Sequence, residues 1–349
     1  MELLRRQHDQ ARARLPEDAY DYVAGGAGDE LTLAENEEAW RRVWLRPRQL
    51  LGVDDAEASV EVLGARMAAP IILAPVAMQG LLHPDSELAV ARAAADAGLV
   101  MCLSTRATTD LADVAAATDA PKWFQLYMDR DRSIARRILE RAVEHGYEQV
   151  VMTIDFPVTG RRERELRHGP VAFGPGVALA THLGTWEDDD AKPQIGGWMA
   201  PTWEDVGWVR EVSGLPVVLK GVLTAEDAAL ARQAGAGAVV VSNHGARQLD
   251  GVVPTAVALR EVVAELDGVL PVLVDGGIRS GADVVRALAL GADAVLVGRP
   301  YLWALAAGGR EGVHAALRAL VADTALTLAL VGAATCADVS AGHARLRGW

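Results

Sequence analysis

Two short segments carry the residue types that move a proton at an anionic molecule. S-N-H-G-A-R-Q-L-D, residues 242–250, sets His244 three positions before Arg247, and T-I-D-F-P-V-T-G-R-R, residues 153–162, sets Asp155 ahead of Arg162. A histidine can take a proton near neutral pH, and an arginine can hold a carboxylate through two parallel N–H bonds. An aspartate beside the histidine would orient the ring and stabilise its imidazolium form. Without such a partner, Asp155 inside an apolar mouth would be an expensive burial, so its pairing with His244 is expected. One histidine, one aspartate and two arginines fit an anionic substrate that loses a proton. Two further segments, D-G-G-I-R at 275–279 and G-R-P at 298–300, combine turn glycines with Arg279 and Arg299. Backbone N–H groups and nearby cations of this kind cradle a phosphate. The feature occurs in both segments, which favours phosphate binding over turn glycines with surface arginines.

These segments need a scaffold that brings them to one place. Short apolar runs recur along the chain: Ile71–Ala77, Val100–Ser104, Trp123–Tyr127, Val150–Asp155, Val217–Lys220, Ala238–Ser242, Val272–Asp275 and Ala294–Val297. Continuous apolarity at four to seven residues reads as a parallel strand buried on both faces. Alanine-rich amphipathic stretches such as SELAVARAAADAG and SIARRILERAVEHG lie between them, and most end in a glycine suited to capping a helix. Eight strand-helix units predict a (β/α)8 barrel, with an open doubly wound sheet as the second choice. AGAGAVVVSNHG and LGADAVLVGRP, 56 residues apart, repeat a G-A-x-A-V-x-V core, as similar barrel units would. A barrel gathers its working residues at the C-terminal ends of its strands. The residues at those ends are Ala77-Met78-Gln79, Ser104-Thr105-Arg106, Gln125 and Tyr127, Thr153 and Asp155, Lys220, Ser242-Asn243-His244, Asp275-Gly276-Gly277 with Arg279, and Gly298-Arg299. Nearly all are polar, at one end of eight apolar strands.

The whole chain, 1–349, is read as one domain, and two parts of it fall outside the repeat. Residues 1–65 are expected to form a helical extension with a short plug, ahead of a barrel over 66–349. Residues 158–202, rich in Gly, Pro and Asp, have no sustained periodicity. Following the fourth strand, they would hang over the active face as a lid.

Bulk properties narrow the partners. With 349 residues, 51% of them hydrophobic, there is ample material for one large core, and a net charge of −13 argues against nucleic acid. Cys102 and Cys336 form neither a zinc motif nor a disulfide framework, so no metal is expected. The polar N-terminus, the lack of a long uninterrupted apolar run and the untagged C-terminus predict a cytoplasmic protein with no membrane partner.

S-N-H-G-A-R-Q-L-D, V-D-G-G-I-R, V-G-R-P, K-G-V and T-I-D-F-P-V-T-G-R-R together resemble the FMN-dependent 2-hydroxy-acid oxidase and dehydrogenase family, over about residues 20–331. Within it, A-G-G-A-G-D-E, A-P-V-A and T-G-R-R look closest to actinobacterial mandelate and 4-hydroxymandelate oxidases. The resemblance implies FMN as cofactor and oxidation of a small (S)-2-hydroxy acid to its 2-keto acid, by hydride transfer or through a carbanion. Oxygen or another acceptor would re-oxidise the flavin. It implies that Tyr22, Arg162 and Arg247 bind the substrate carboxylate, that Tyr127 contacts the hydroxyl, and that His244 is the base, oriented by Asp155. Ala77, Ser104, Gln125, Thr153, Ser242 and Lys220 would surround the flavin ring, where the Lys220 cation stabilises the reduced anion. Asp275, Gly277, Arg279, Gly298 and Arg299 would hold the ribityl phosphate. A homo-oligomer, tetramer or octamer, is expected on the same ground and from the apolar C-terminal helices. A non-flavin, phosphate-binding barrel lyase or isomerase is the alternative.

Two positions depart from the family. Val76 stands where several members have Thr, and Arg106 where glycolate oxidases have Trp and others Leu or Phe. Arg106 either pairs with acidic lid residues such as Glu187 or Asp188, or meets a second polar or anionic group on the substrate.

Overall fold

The computed structural model describes residues 1–169 and 199–347. Eight parallel strands close into a barrel: β1 Ile71–Leu73, β2 Val100–Ser104, β3 Lys122–Leu126, β4 Gln149–Thr153, β5 Val217–Val222, β6 Ala238–Val241, β7 Val272–Val274 and β8 Ala294–Val297. Each strand pairs with the next, and Val295↔Ile71 and Val297↔Leu73 close the ring. The (β/α)8 expectation is met. Every residue of β1, β2, β4, β6, β7 and β8 is buried, because helices cover the outer face and packed side chains fill the inner one.

Strand limits differ from the apolar runs where backbone chemistry intervenes. β1 ends at Leu73, not Ala77, because Pro75 has no N–H to offer a ladder. β5 runs two residues past Lys220, through a register shift at Gly221. Gly221 has φ +123°, and a Cβ there would lie 2.7 Å from the Asp155 Cβ. Glycine is therefore what lets the end of β5 approach Asp155 at the end of β4.

The extension preceding the barrel contains helices α1 Glu2–Arg14, α2 Glu17–Ala24 and α3 Leu31–Arg41. It also contains Val43–Leu45, which pairs antiparallel with Ala344–Leu346 near the end of the chain, and the hairpin Val60–Val62/Ala65–Met67. That hairpin lies at the closed end of the barrel, where Gln149 at the start of β4 donates to the Leu63 carbonyl at 3.1 Å. α2 and α3 sit at the opposite, open end. There Asn36 and Asn243 exchange amide hydrogen bonds of 2.9 and 2.8 Å, and Trp40 Nε1 donates to Gly276 O at 2.7 Å.

Arg299–Val331 is long and apolar enough to cross a membrane by length and composition. It is two helices joined at a kink where Gly308 and Gly309 leave helical geometry, and it packs on α1 and on helix Ser86–Asp96. Of the segment read as a lid, the described parts are 158–169, with a short helix Glu163–His168, and 199–202, which enters helix Trp203–Ser213 through a capping box of Thr202 and Asp205. The remainder, 170–198, lies outside the described residues, as do Glu187 and Asp188.

Candidate active site

At the C-terminal mouth of the barrel lies a cleft with about 1030 Å³ of empty space, open mouth included. That is at the upper end of the range for cofactor and small-molecule clefts. Its walls include Tyr22, Ala77, Arg106, Tyr127, Thr153, Arg162, Lys220, His244, Arg247, Asp275, Gly277, Arg279, Gly298 and Arg299. Segments far apart in sequence thus meet at one face, as the strand-end reading requires.

His244 follows β6 in a left-handed conformation, φ +59°, and its N–H donates to Ser242 Oγ at 3.1 Å. Its Nδ1 is 2.8 Å from Asp155 Oδ1. A carboxylate only accepts, so Nδ1 carries the proton and Nε2 presents a lone pair, which accepts from the Tyr127 hydroxyl at 3.3 Å. Burial holds the His244 pKa below the ordinary histidine value; Asp155 pulls against this, and the Lys220 and Arg162 cations reinforce it. Burial alone would raise Asp155, but His244 and Lys220 hold its carboxyl below the usual range. The ring is therefore neutral and the carboxylate ionised at neutral pH. Tyr127 is pushed up to about 12 by burial and then by Asp155, so its hydroxyl keeps its proton. Phe156 packs against both rings, with centroids 5.1 Å from Tyr127 and 5.6 Å from His244.

Lys220 lies beside this group, almost completely buried. Its Nζ donates to Ser242 Oγ at 2.8 Å and lies 3.1 Å from Asp275 Oδ2, while Ser242 Oγ donates to the same Asp275 oxygen at 2.9 Å. Burial would lower the ammonium pKa; Asp275 and Asp155 outweigh it and raise it, so the cation is permanent.

Arg162 and Arg247 converge on one carboxylate. Glu165 Oε1, on helix Glu163–His168, is 2.8 Å from Arg247 Nη2 and 3.4 Å from Arg162 Nη1. Arg162 Nε donates to Arg247 O at 3.0 Å, and Arg247 Nη1 donates to the carbonyls of Tyr22 and Gly25 at 2.6 and 3.1 Å. The Arg247 guanidinium also stacks over the Tyr22 ring at 4.9 Å. Helix Glu163–His168 is tied to the extension by Arg164–Glu30 at 2.5 Å and His168–Asp21 at 2.9 Å.

The glycine-rich end of the cleft is built on the extension. Gly276 and Gly277 have φ of +83° and +82°, and a Cβ on Gly277 would come within 2.2 Å of Asn36 O. Arg279 pairs with Glu37 at 2.8 Å. Arg299 is half-buried and donates to the carbonyls of Val23, Gly25 and Gly245 at 2.8, 2.9 and 3.1 Å. Burial, with Arg247 and Arg279 nearby, lowers it to about 9. A guanidinium partly withdrawn from solvent and satisfied only by carbonyls retains a need for an anion.

A model of the FMN-dependent dehydrogenase family matches residues 11–346. The chain belongs to that family. It is 43% identical over 342 residues to glycolate oxidase 1 of Oryza sativa subsp. indica, covering 95% of this chain and 92% of that protein. It is 42% identical over 350 residues to an L-lactate oxidase of Nostoc sp., covering 96% of each. A mandelate oxidase variant solved with (S)-mandelic acid superposes with a TM-score of 0.91 at 42% identity, covering 99% of both chains. The alternative of a non-flavin lyase or isomerase is not favoured.

The cleft fits the family's cofactor. Its volume suffices, Gly276, Gly277 and Gly298 line one end of it, Arg279 and Arg299 stand there as cations, and Lys220 offers a permanent charge. Four residues expected at the site lie one layer back from its walls. Asp155 is behind His244, and Ser242 is under Lys220. Gln125 accepts from Ser104 Oγ at 3.2 Å and donates to Thr153 Oγ1 at 3.0 Å, so Ser104 and Gln125 satisfy each other beneath Thr153. Glu165, Phe156, Asn36 and Glu37 were not read from the sequence. Only Glu165 left a signal there, as an acid three residues after Arg162.

Proposed function

We propose that this enzyme oxidises a small (S)-2-hydroxy acid to the corresponding 2-keto acid, with His244 as the base and the Arg162–Arg247 pair as the carboxylate clamp. The observation carrying the reading is the meeting of a neutral histidine, oriented by Asp155, with two arginines already converging on a carboxylate oxygen. The Glu165 oxygen marks where a carboxylate is held between them. Tyr22, stacked under Arg247, would complete that clamp, and the Tyr127 hydroxyl, 3.3 Å from His244 Nε2, would contact the substrate hydroxyl.

Two electrons and two protons leave the substrate. His244 Nε2 takes one proton, Asp155 at 2.8 Å stabilises the imidazolium that results, and the second proton would leave with the two electrons to the acceptor. FMN, when bound, supplies the two-electron acceptor, and oxygen or another acceptor then receives those electrons. Ala77 and Thr153, backed by Ser104, Gln125 and Ser242, would surround its ring, with Lys220 offsetting negative charge on the reduced form. Asp275, Gly277, Arg279, Gly298 and Arg299 would hold its phosphate end. A homo-oligomer, tetramer or octamer, is part of the same reading; Leu326 and Leu330 stand exposed on the C-terminal helix. The test is anaerobic mixing of the yellow protein with (S)-2-hydroxy acids. Bleaching of the flavin absorbance is expected, and a spectrum that no 2-hydroxy acid changes would refute the reaction.

A further inference from the structure

The cations around the cleft can be matched to anions one by one. Arg162 and Arg247 share Glu165, Lys220 faces Asp275, and Arg279 faces Glu37. Arg299 rests on three carbonyls beside the glycine cradle assigned to phosphate. Arg106 is left over. Its side chain lines the cleft, its Nε is buried without a hydrogen-bond partner, and no carboxylate among the described residues pairs with it.

The backbone of Arg106 is fixed on both sides. Its carbonyl accepts from Met78 N–H at 3.0 Å and its N–H donates to Ser104 Oγ at 3.1 Å, which ties the turn after β2 to the turn after β1. In the ring order, β2 lies four strands from β6, directly across the mouth from the turn that carries Arg247. A substrate whose first carboxylate is held by Arg162 and Arg247 and whose chain crosses the mouth would bring its far end to the β2 side. Arg106 and Tyr127 line the same cleft as His244.

We infer that Arg106 binds a second carboxylate at the distal end of the substrate, making the preferred substrates short 2-hydroxy dicarboxylic acids. The inference rests on the proposed reaction and names its substrate class. It gives the buried Nε an acceptor and a guanidinium unmatched among the described residues an anion, which a substrate with an uncharged far end, such as lactate, would not. A charge-assisted contact of this kind is worth about ten- to a hundredfold in affinity.

The experiment compares the parent enzyme with Arg106→Leu, both FMN-loaded. The ratio of kcat/KM for (S)-malate and tartronate over kcat/KM for (S)-lactate is measured for each. In parallel, calorimetry gives the Kd ratio for 2-oxoglutarate against pyruvate, which needs no turnover. The leucine variant should lower both dicarboxylate preferences by roughly ten- to a hundredfold. Ratios that stay at the parental values, with all substrates losing equally, would overturn the inference and assign Arg106 to pairing within the protein. If no 2-hydroxy acid is oxidised, the reaction reading falls, while the calorimetric ratio still decides the role of Arg106.

Discussion

Asp155→Asn isolates the contribution of one charge. The side chains are nearly isosteric, and Asp155 is confined by Gly221, so asparagine must occupy the same space. It can still accept from His244 Nδ1–H, keeping the tautomer that leaves the Nε2 lone pair toward Tyr127. The buried Oδ2, which lacks a partner among the described residues, gives way to an amide. What disappears is the negative charge 2.8 Å from the ring. Hydrogen bonds to charged groups are worth about 1.5–3 kcal/mol and neutral ones about 0.5–1.5, so the imidazolium loses roughly 1–2 kcal/mol of stabilisation. Flavin reduction, followed anaerobically by stopped-flow absorbance of the oxidised flavin, should slow by about five- to thirtyfold.

The pH profile gives an independent sign. The His244 pKa already lies below the ordinary histidine value, and Asp155 is the group that holds it up. The acid limb of kcat/KM should therefore lie below about pH 6.5 in the parent and move lower still in Asp155→Asn. A parental reduction rate, or an acid limb displaced upward, would refute the assigned pairing.

Replacing Arg279 and Arg299 together with alanine should release FMN during gel filtration, each lost contact weakening binding by about ten- to a hundredfold; unchanged flavin content would refute the phosphate cradle. Gly221→Ala forces a Cβ to within 2.7 Å of Asp155, at φ +123°. It should lose roughly 1–3 kcal/mol of stability in denaturant titrations and slow flavin reduction more than it weakens flavin binding, whereas parental behaviour in both would contradict the packing argument. Light scattering at micromolar concentration should report an oligomer, and a monomer would contradict that part of the proposal.

Much of the scaffold was readable because parallel barrel strands are buried on both faces, which leaves unbroken apolar runs such as Val100–Ser104. The boundaries that moved did so for reasons local to single residues, Pro75 at β1 and Gly221 at β5. Reading polar residues at strand ends pointed to the cleft but not to its layering. Ser104, Gln125 and Ser242 are at the right height, yet their polar groups are consumed by neighbours beneath the walls. The extension's contribution was the least legible, since Arg299 is held by the backbone carbonyls of Val23 and Gly25, and a carbonyl carries no side-chain identity. Glu165 is visible only as a helical-spacing acid; that it bridges to Arg247 depends on a contact 82 residues away in sequence.

The central claim is that His244 takes the proton while FMN is bound elsewhere in the cleft, and His244→Ala tests it most directly. The variant should purify yellow, with parental flavin content, because no residue of the glycine cradle is altered. Its anaerobic flavin reduction by a 2-hydroxy acid should be slower by at least about 100-fold, the usual scale for losing a general base. Reduction at the parental rate by a fully flavinated His244→Ala protein would contradict the account.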